Sequence, residues 1–489
     1  MEQGLQRGIW AASLIGVSFV PSIVKAQEVT GEDGKPNIIV LLCDDLGYGD
    51  LGCFGHPAIQ TPNLDALAKS GIRLNDFYAA APVSSPSRAG LLTGRSPNRA
   101  GFYDFIPGYS KSEDCRDLVH LQDYEVTIPQ LVKSAGYVTC LSGKWHCSSR
   151  FNHESQPRPD HFGFDHWFCT HNNSAPTHQN PNNFVRNGEP AGQLEGFSCQ
   201  LVVDEAIGWL DKQDGEKPFY LQLTFHEPHE PIASPEHLVQ KYMLTAQNRA
   251  QAEYFANVEN MDAAVGRVVK YIEENGLDNT LILFSSDNGP ETLLRYGRAS
   301  HSYGSPGDLN GMKLWTSDGG IRVSSIINWV GRDIYNGESD AVVSSLDYLP
   351  TICEIVGVEL PDRDLDGESF VSLIETGSFE REGALVWAFY DALNEQRVAM
   401  RSGDWKMLAT LTCDGEVMPR YNNLYDGNIE FVKGAKLENF SLYNIREDIG
   451  ESNDLSQIDK KNFRKVKKQF IKEYERLLEG SHVWSRDDN

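Results

Sequence analysis

A chain of 489 residues with 40% hydrophobic and 23% charged residues is ordinary globular material, long enough for two or three domains. Its formal net charge of −25 excludes nucleic acid as a bulk partner, because phosphate binding needs a basic face, and excludes adhesion to an anionic membrane surface. Cations that meet an anionic substrate must therefore be gathered locally.

The amino terminus carries Arg7, an interrupted apolar run from Ile9 to Val24, and the small exit residue Ala26. This predicts a secretory signal peptide over 1–26, cleaved after Ala26, and hence an exported protein. Ser13, Gly16, Ser18, Pro21 and Ser22 keep the run below the roughly 20 apolar residues a span needs. No later segment is long or apolar enough, so no stable membrane span is expected. After a polar linker, residues 37–43 form an apolar run without alternation, the mark of a strand buried on both faces in a parallel sheet. A helix is predicted over 64–70, ended by Gly71. Another covers 127–135, with Gly136 as its C-cap, and leads into a strand over 137–141. Residues 217–225 read as a strand, 248–275 as a long helix and 280–284 as a further strand. This alternation implies an α/β fold over 27–374, a large mostly parallel sheet sandwiched by helices. From about Glu375 the texture changes to short antiparallel strands at 386–390, 397–402 and 405–410, then an amphipathic helix at 462–478. A smaller C-terminal α+β domain over 375–489 is expected. The nine cysteines show neither a Cys-x-x-Cys pair nor a Cys/His zinc spacing, and Cys43 reads as a buried small hydrophobe.

Sites in open α/β sheets form at the carboxyl ends of strands. The first strand ends in Asp44-Asp45, and the run 281–284 leads, after two serines, to Asp287-Asn288-Gly289. Three carboxylates and an amide at one sheet edge favour Ca2+, which takes about six to eight oxygens, over Mg2+. Taken singly, each pair is equally an Asx turn. In Ser84-Ser85-Pro86-Ser87-Arg88, Pro86 suits a first helical position with Ser85 as N-cap. Ser84 then lies at a helix N-terminus that favours an anion, which Arg88 and Arg95 could also face.

Ser84-x-Pro-Ser-Arg followed by Thr93-Gly94-Arg95 resembles the signature of the sulfatase family, in which a Cys or Ser is oxidised to formylglycine. Asp44-Asp45-Leu-Gly-Tyr-Gly-Asp and Ser286-Asp287-Asn288-Gly289 are similar to the family's two metal motifs. Gly143-Lys144-Trp145-His146, His226-Glu-Pro-His229 and Gly311-Met-Lys313 resemble three further segments, all in the family's order. The resemblance implies an alkaline phosphatase-like fold, formylglycine at Ser84, and Ca2+ held by Asp44, Asp45, Asp287, Asn288 and the modified residue 84. It implies that Arg88, Lys144 and Lys313 hold the sulfate and that His229 protonates the departing alcohol. A hydroxyl of the hydrated aldehyde would attack sulfur, and His146 would take the proton of the second hydroxyl when the adduct collapses. A serine at the modified position implies maturation by a radical formylglycine-generating enzyme, which points to a bacterium and to a periplasmic or secreted enzyme. Asp318 and Ser324 stand where the family commonly has Glu and Pro, which puts the local loop geometry in question.

The substrate expected is a sulfated small molecule or glycan. His171, Asn172 and the polar stretch to Asn187, with Arg295 and Arg298 on the loop after the second metal motif, are candidate sugar subsites. There Asn and His would bond hydroxyls and Arg would meet a second anionic group. His226 is a further candidate, although a histidine beside a strand is as readily a core hydrogen-bonder. The rival readings are a phosphate or phosphonate monoester hydrolase of the same superfamily, and a non-catalytic sulfated-glycan binding protein.

Overall fold

The computed structural model describes residues 34–488, so the expected signal peptide lies outside the described residues. In chain order the main strands are β1 (Asn37–Asp44), β2 (Ile72–Leu74), β3 (Val138–Lys144), β4 (His166–Thr170), β5 (Phe219–Pro228), β6 (Thr280–Ser286) and β7 (Ser325–Val330). They lie in the order β2-β7-β6-β1-β5-β3-β4 within one sheet, extended by short strands at both edges. From β6 to β4 all neighbours are parallel, whereas β7 runs antiparallel to both β6 and β2.

The unalternating run of β1 has the cause its sequence suggests. Ile38, Val40 and Leu42 enter the core on one face of the sheet, and Ile39, Leu41 and Cys43 enter the core on the other. Helices α1 (Pro62–Lys69), α4 (Ser198–Leu210), α5 (Glu236–Tyr242) and α6 (Arg249–Glu274) cover the second face through Leu64, Val202, Val239 and Val265. The first face takes α2 (Ser84–Thr93), α3 (Ile128–Ser134) and α7 (Tyr348–Val356) through Ala89, Val132 and Ile352. Each such fully buried aliphatic side chain contributes roughly 1.5–3 kcal/mol.

That first-face core runs on into a small antiparallel sheet of β8 (Leu385–Ala388), β9 (Val398–Ser402), β10 (Trp405–Cys413) and β11 (Lys436–Asn444). Helix α8 (Lys460–Glu479) lays Val466, Phe470 and Tyr474 against it, a period-3.6 stripe on an otherwise charged helix. All nine cysteines are free, seven of them buried. No helix among the described residues is long and apolar enough to cross a membrane.

One helix start differs from expectation. Helix α2 begins at Ser84 with Val83 as N-cap, not at Pro86 with Ser85 as N-cap. A proline in the first turn costs no intrahelical bond, so it marks the turn without fixing the first residue. The Ser85 hydroxyl instead accepts the Ile106 N–H at 3.0 Å, tying down the loop after the helix.

Candidate active site

Four adjacent parallel strands deliver their last residues to one edge of the sheet. The register pairs Cys43 of β1 with Ser286 of β6, so Asp44 and Asp287 leave the sheet side by side. On the other side of β1, β5 runs out into His226 and His229, and β3 ends at Lys144 with His146 just beyond. Gly143 is required here: its φ is +121°, and a Cβ would lie 1.9 Å from the Thr224 carbonyl oxygen on β5. Asp45 and His146 leave their strands with φ of 62° and 52°, left-handed conformations that cost a non-glycine residue about 1–3 kcal/mol each. The surroundings hold them, since Asp45 N–H donates to Asp287 Oδ1 at 3.2 Å and His146 N–H to the His171 carbonyl at 2.8 Å.

Ser84, the first residue of α2, is buried over this edge with its Oγ 2.9 Å from Asp44 Oδ1 and 3.4 Å from Asn288 Oδ1. Each carboxylate gives one oxygen to a buried protein cation. Lys144 Nζ donates to Asp44 Oδ2 at 2.6 Å, and Lys313 Nζ to Asp45 Oδ2 at 2.8 Å. Arg88 donates to Asp287 Oδ2 through Nε at 3.0 Å and Nη2 at 2.8 Å. Burial would raise the Asp44 carboxyl, but Lys144, then His229 and Arg88, hold it well below the usual range. For Asp45 burial wins over Lys313, and the carboxyl is pushed up to about 6. Burial and the neighbouring Asp44 likewise push Asp287 to about 6. An added cation would relieve these last two.

The donors fit a hard divalent ion. Asp44 Oδ1 and Asn288 Oδ1 lie beside the Ser84 hydroxyl, Asp287 Oδ1 accepts the Asp45 N–H and Asp45 Oδ1 accepts from Asn288 Nδ2, so three buried carboxylates and an amide adjoin one another, an oxygen set that suits Ca2+ or Mg2+. Asp44, Asp45 and His229 also present ligand atoms all within 4.8 Å of one another.

The histidines divide by what their ring nitrogens touch. His146 Nε2 donates to the Ile106 carbonyl at 2.9 Å, which leaves Nδ1 with a free lone pair and no partner in the protein. Burial, then Lys144, holds this imidazole well below its ordinary value, so it is neutral and basic in form. His229 Nδ1 donates to the Glu230 carbonyl at 2.5 Å, so Nε2 is the nitrogen on the pocket side, 3.5 Å from Asp45 Oδ2. Burial, then Lys313, lowers it to about 3.

A pocket of about 300 Å³ opens over these groups. Ser84, Lys144, His146, His229 and Lys313 form its floor and near walls; Phe105, Asn172, Asn173, Glu291, Arg295 and Tyr296 form the outer wall. Thus Asn172 and Arg295 of the expected subsites reach it. Arg298 is exposed and does not line it. His171 packs its ring on His146 with centroids 5.6 Å apart, behind the pocket wall. His226 is buried, with Nε2 and the Thr170 hydroxyl 2.8 Å apart, so it is a core hydrogen-bonder and not a subsite. Arg95 does not face the site, because Glu125 takes its guanidinium at the other end of α2. Nor is Arg295 a free cation: Nε and Nη2 grip Glu291 at 2.7 and 2.8 Å.

Glu291 and Phe105 escaped the sequence reading. Glu291 carried a faint signal, lying just after the second metal motif and four residues before Arg295; Phe105 carried none, sitting in a loop without periodicity. Asp318, the departure from Glu, is fully buried and takes a hydrogen bond from Tyr78 at 2.9 Å and an ion pair from Lys406. It opens the short turn Asp318–Ile321, whose Gly320 carbonyl accepts the Gly289 N–H at 2.9 Å and ties the turn to the segment after Asp287-Asn288.

The sulfatase family model matches residues 36–358. Human arylsulfatase A is 34% identical over 400 residues, covering 76% of this chain and 74% of its own length. Human N-acetylgalactosamine-6-sulfatase is 29% identical over 439 residues, covering 86% of this chain and 78% of its own. Among solved structures, Ps i-CgsB in complex with k-i-k-neocarrahexaose superposes with a TM-score of 0.73 at 25% identity, covering 93% of this chain and 96% of that one.

Proposed function

This chain belongs to the sulfatase family and is a sulfuric ester hydrolase; from that premise we propose that it removes sulfate from a sulfated carbohydrate, using formylglycine made from Ser84 and one Ca2+. The observation that carries the reading is the Ser84 hydroxyl, 2.9 Å from a buried carboxylate on the floor of a pocket whose walls hold two lysines and two histidines. Formylglycine would supply a hydrated aldehyde with one hydroxyl to displace the alcohol from sulfur and a second to release the sulfate. Calcium, held by Asp44, Asp45, Asp287, Asn288 and residue 84, would supply Lewis acidity and a fixed positive charge.

The chain's own residues do the rest. Lys144 and Lys313 meet the sulfate oxygens from two sides, while Arg88 holds Asp287 in place and adds charge from below. In that water-poor setting these cations offset charge that grows on the oxygens in the transition state. With the anionic sulfate ester bound beside it, which favours the charged ring, His229 would take up a proton on Nε2 and deliver it to the leaving alcohol oxygen, its other nitrogen being fixed on Glu230. His146, neutral and with Nδ1 open, accepts a proton when the sulfate is released. The names of the relatives support a sugar substrate, N-acetylgalactosamine in one and k-i-k-neocarrahexaose bound in another. Export to the periplasm or beyond and radical maturation of Ser84 belong to the same reading.

The mass of the peptide carrying Ser84, taken from a host with a serine-type maturation system, tests it. A loss of two hydrogens and reaction with a hydrazine probe are expected, together with one Ca2+ per chain and loss of activity on chelation. Active protein with an unmodified serine would sink the aldehyde chemistry, and two metals per chain would favour a phosphoesterase.

A further inference from the structure

The outer wall of the pocket has an unusual charge balance. Its cation, Arg295, spends both Nε and Nη2 on Glu291, at 2.7 and 2.8 Å. The Glu291 side chain is only 4% exposed and fixes the carboxylate in the wall, while the Arg295 side chain, 30% exposed, is held to it by two hydrogen bonds. Glu291 Oε2 also lies 3.9 Å from Lys313 Nζ, whose own partner is Asp45 at 2.8 Å. Every cation among the lining residues has a carboxylate partner, Lys144 with Asp44, Lys313 with Asp45 and Arg295 with Glu291, and the two lysines keep further N–H groups for the scissile sulfate. The scissile sulfate has the helix N-terminus and the metal-side groups to receive it. A second anion on the same ring would find only a committed guanidinium and the Glu291 carboxylate. The other outer-wall groups are neutral: the half-exposed ring of Phe105, the ring of Tyr296, and the amides of Asn172 and Asn173. These suit the C–H face and hydroxyl or acetamido groups of a sugar, and about 300 Å³ takes roughly one ring with its sulfate.

We propose that Glu291 determines specificity: by engaging Arg295 it denies the pocket a cation for a second anionic group, so the sugar bearing the scissile sulfate is otherwise neutral. This rests on the sulfated-carbohydrate reading and narrows it to monosulfated neutral or N-acetylated sugars, against disulfated sugars and uronates. It also replaces the expectation that Arg295 meets a second anion.

The test measures kcat/KM of the mature, aldehyde-bearing enzyme for N-acetylgalactosamine and galactose monosulfates, each against the corresponding disulfate. The wild type is expected to prefer the best monosulfate by at least about tenfold, the scale of discrimination that an unpaired like charge imposes. Glu291→Gln releases Arg295 and should narrow that ratio at least about threefold, whatever it does to either rate alone. Arg295→Gln should leave the preference for the monosulfate in place, because the guanidinium is not available to substrate. Equal or better use of the disulfate by the wild type would overturn the inference. So would selective loss of disulfate hydrolysis in Arg295→Gln, which would mean that Arg295 leaves Glu291 to bind the second anion. Hydrolysis of an aryl sulfate with no sugar sulfate turned over would remove the carbohydrate reading and this inference with it.

Discussion

Replacement of His229 by alanine separates proton donation from every other function of the site. His229 Nδ1 is fixed on the Glu230 carbonyl at 2.5 Å, and Nε2 lies on the pocket side, 3.5 Å from Asp45 Oδ2. In the proposed mechanism it stands where the alcohol oxygen departs, and the bound anionic ester favours the ring that carries a proton on Nε2. A positioned general acid contributes about 10²–10⁴-fold, or roughly 2.7–5.5 kcal/mol of barrier, when the leaving alkoxide is basic. A sugar alkoxide is strongly basic, whereas p-nitrophenolate leaves without a proton. His229→Ala should lower kcat for a sugar sulfate by about a hundredfold or more, yet lower kcat for p-nitrophenyl sulfate less than about tenfold. Steady-state kinetics on both esters, with calcium content and the mass of the Ser84 peptide checked in parallel, reads this directly. Equal losses on the two esters would refute the assignment. They would place His229 with Asp44 and Asp45 as a metal ligand, the other role its geometry allows.

Other predictions concern the frame that holds the site. Lys406 is fully buried between Asp318 and Glu451, so Lys406→Met removes the buried cation from Glu451 and leaves Asp318 with Arg322 and the Tyr78 hydroxyl, and it should cost about 3–5 kcal/mol, seen as a lowered thermal midpoint. Adding Glu451→Gln should recover part of this loss, because burial, against Lys406, already pushes the Glu451 carboxyl up to about 7. Asp50 accepts from the Gly47 N–H at 2.7 Å, the Tyr254 hydroxyl at 2.6 Å and the Ser305 N–H at 2.8 Å, clamping the loop after Asp45 to the loop around Ser305. Asp50→Asn leaves one buried donor facing an amide N–H and should lose about 1–3 kcal/mol in denaturant titration. The pKa of His301 is raised, first by its hydrogen bond to Glu230 and then, against burial, by the charges of Glu230 and Glu253. A raised folded value stabilises below the unfolded value of about 6.5, and the gain is lost as pH rises through the folded value. Hydrogen-exchange protection of the 291–303 loop should therefore fall as pH is raised from 6.5, and His301→Gln should abolish the trend.

Much of the molecule was legible in the chain itself, because its signals are local. The unalternating run of β1, the 3.6-residue stripe of α8 and the Gly136 stop after α3 each follow from backbone periodicity and sterics, which need no distant partner. The residue types at the strand ends were equally plain, since an Asp-Asp and an Asp-Asn pair after two apolar runs fall at one edge once the strands are parallel neighbours. Charge pairing was not legible. Whether an arginine is free depends on which carboxylate the fold brings within about 3 Å, and sequence spacing does not encode that for Arg95 with Glu125 or Lys406 with Asp318. Even for Arg295 and Glu291, four residues apart, only the tertiary fold shows that the pair lines the pocket. The sequence by itself thus determined four strands of the large sheet, β1, β3, β5 and β6, and the polar groups at their ends, whereas the tertiary structure alone decided the places of β2, β4 and β7 and which charges remain available to a substrate. The reason is that backbone preference acts over a few residues, while electrostatic neutralisation is settled by whatever lies nearest in space.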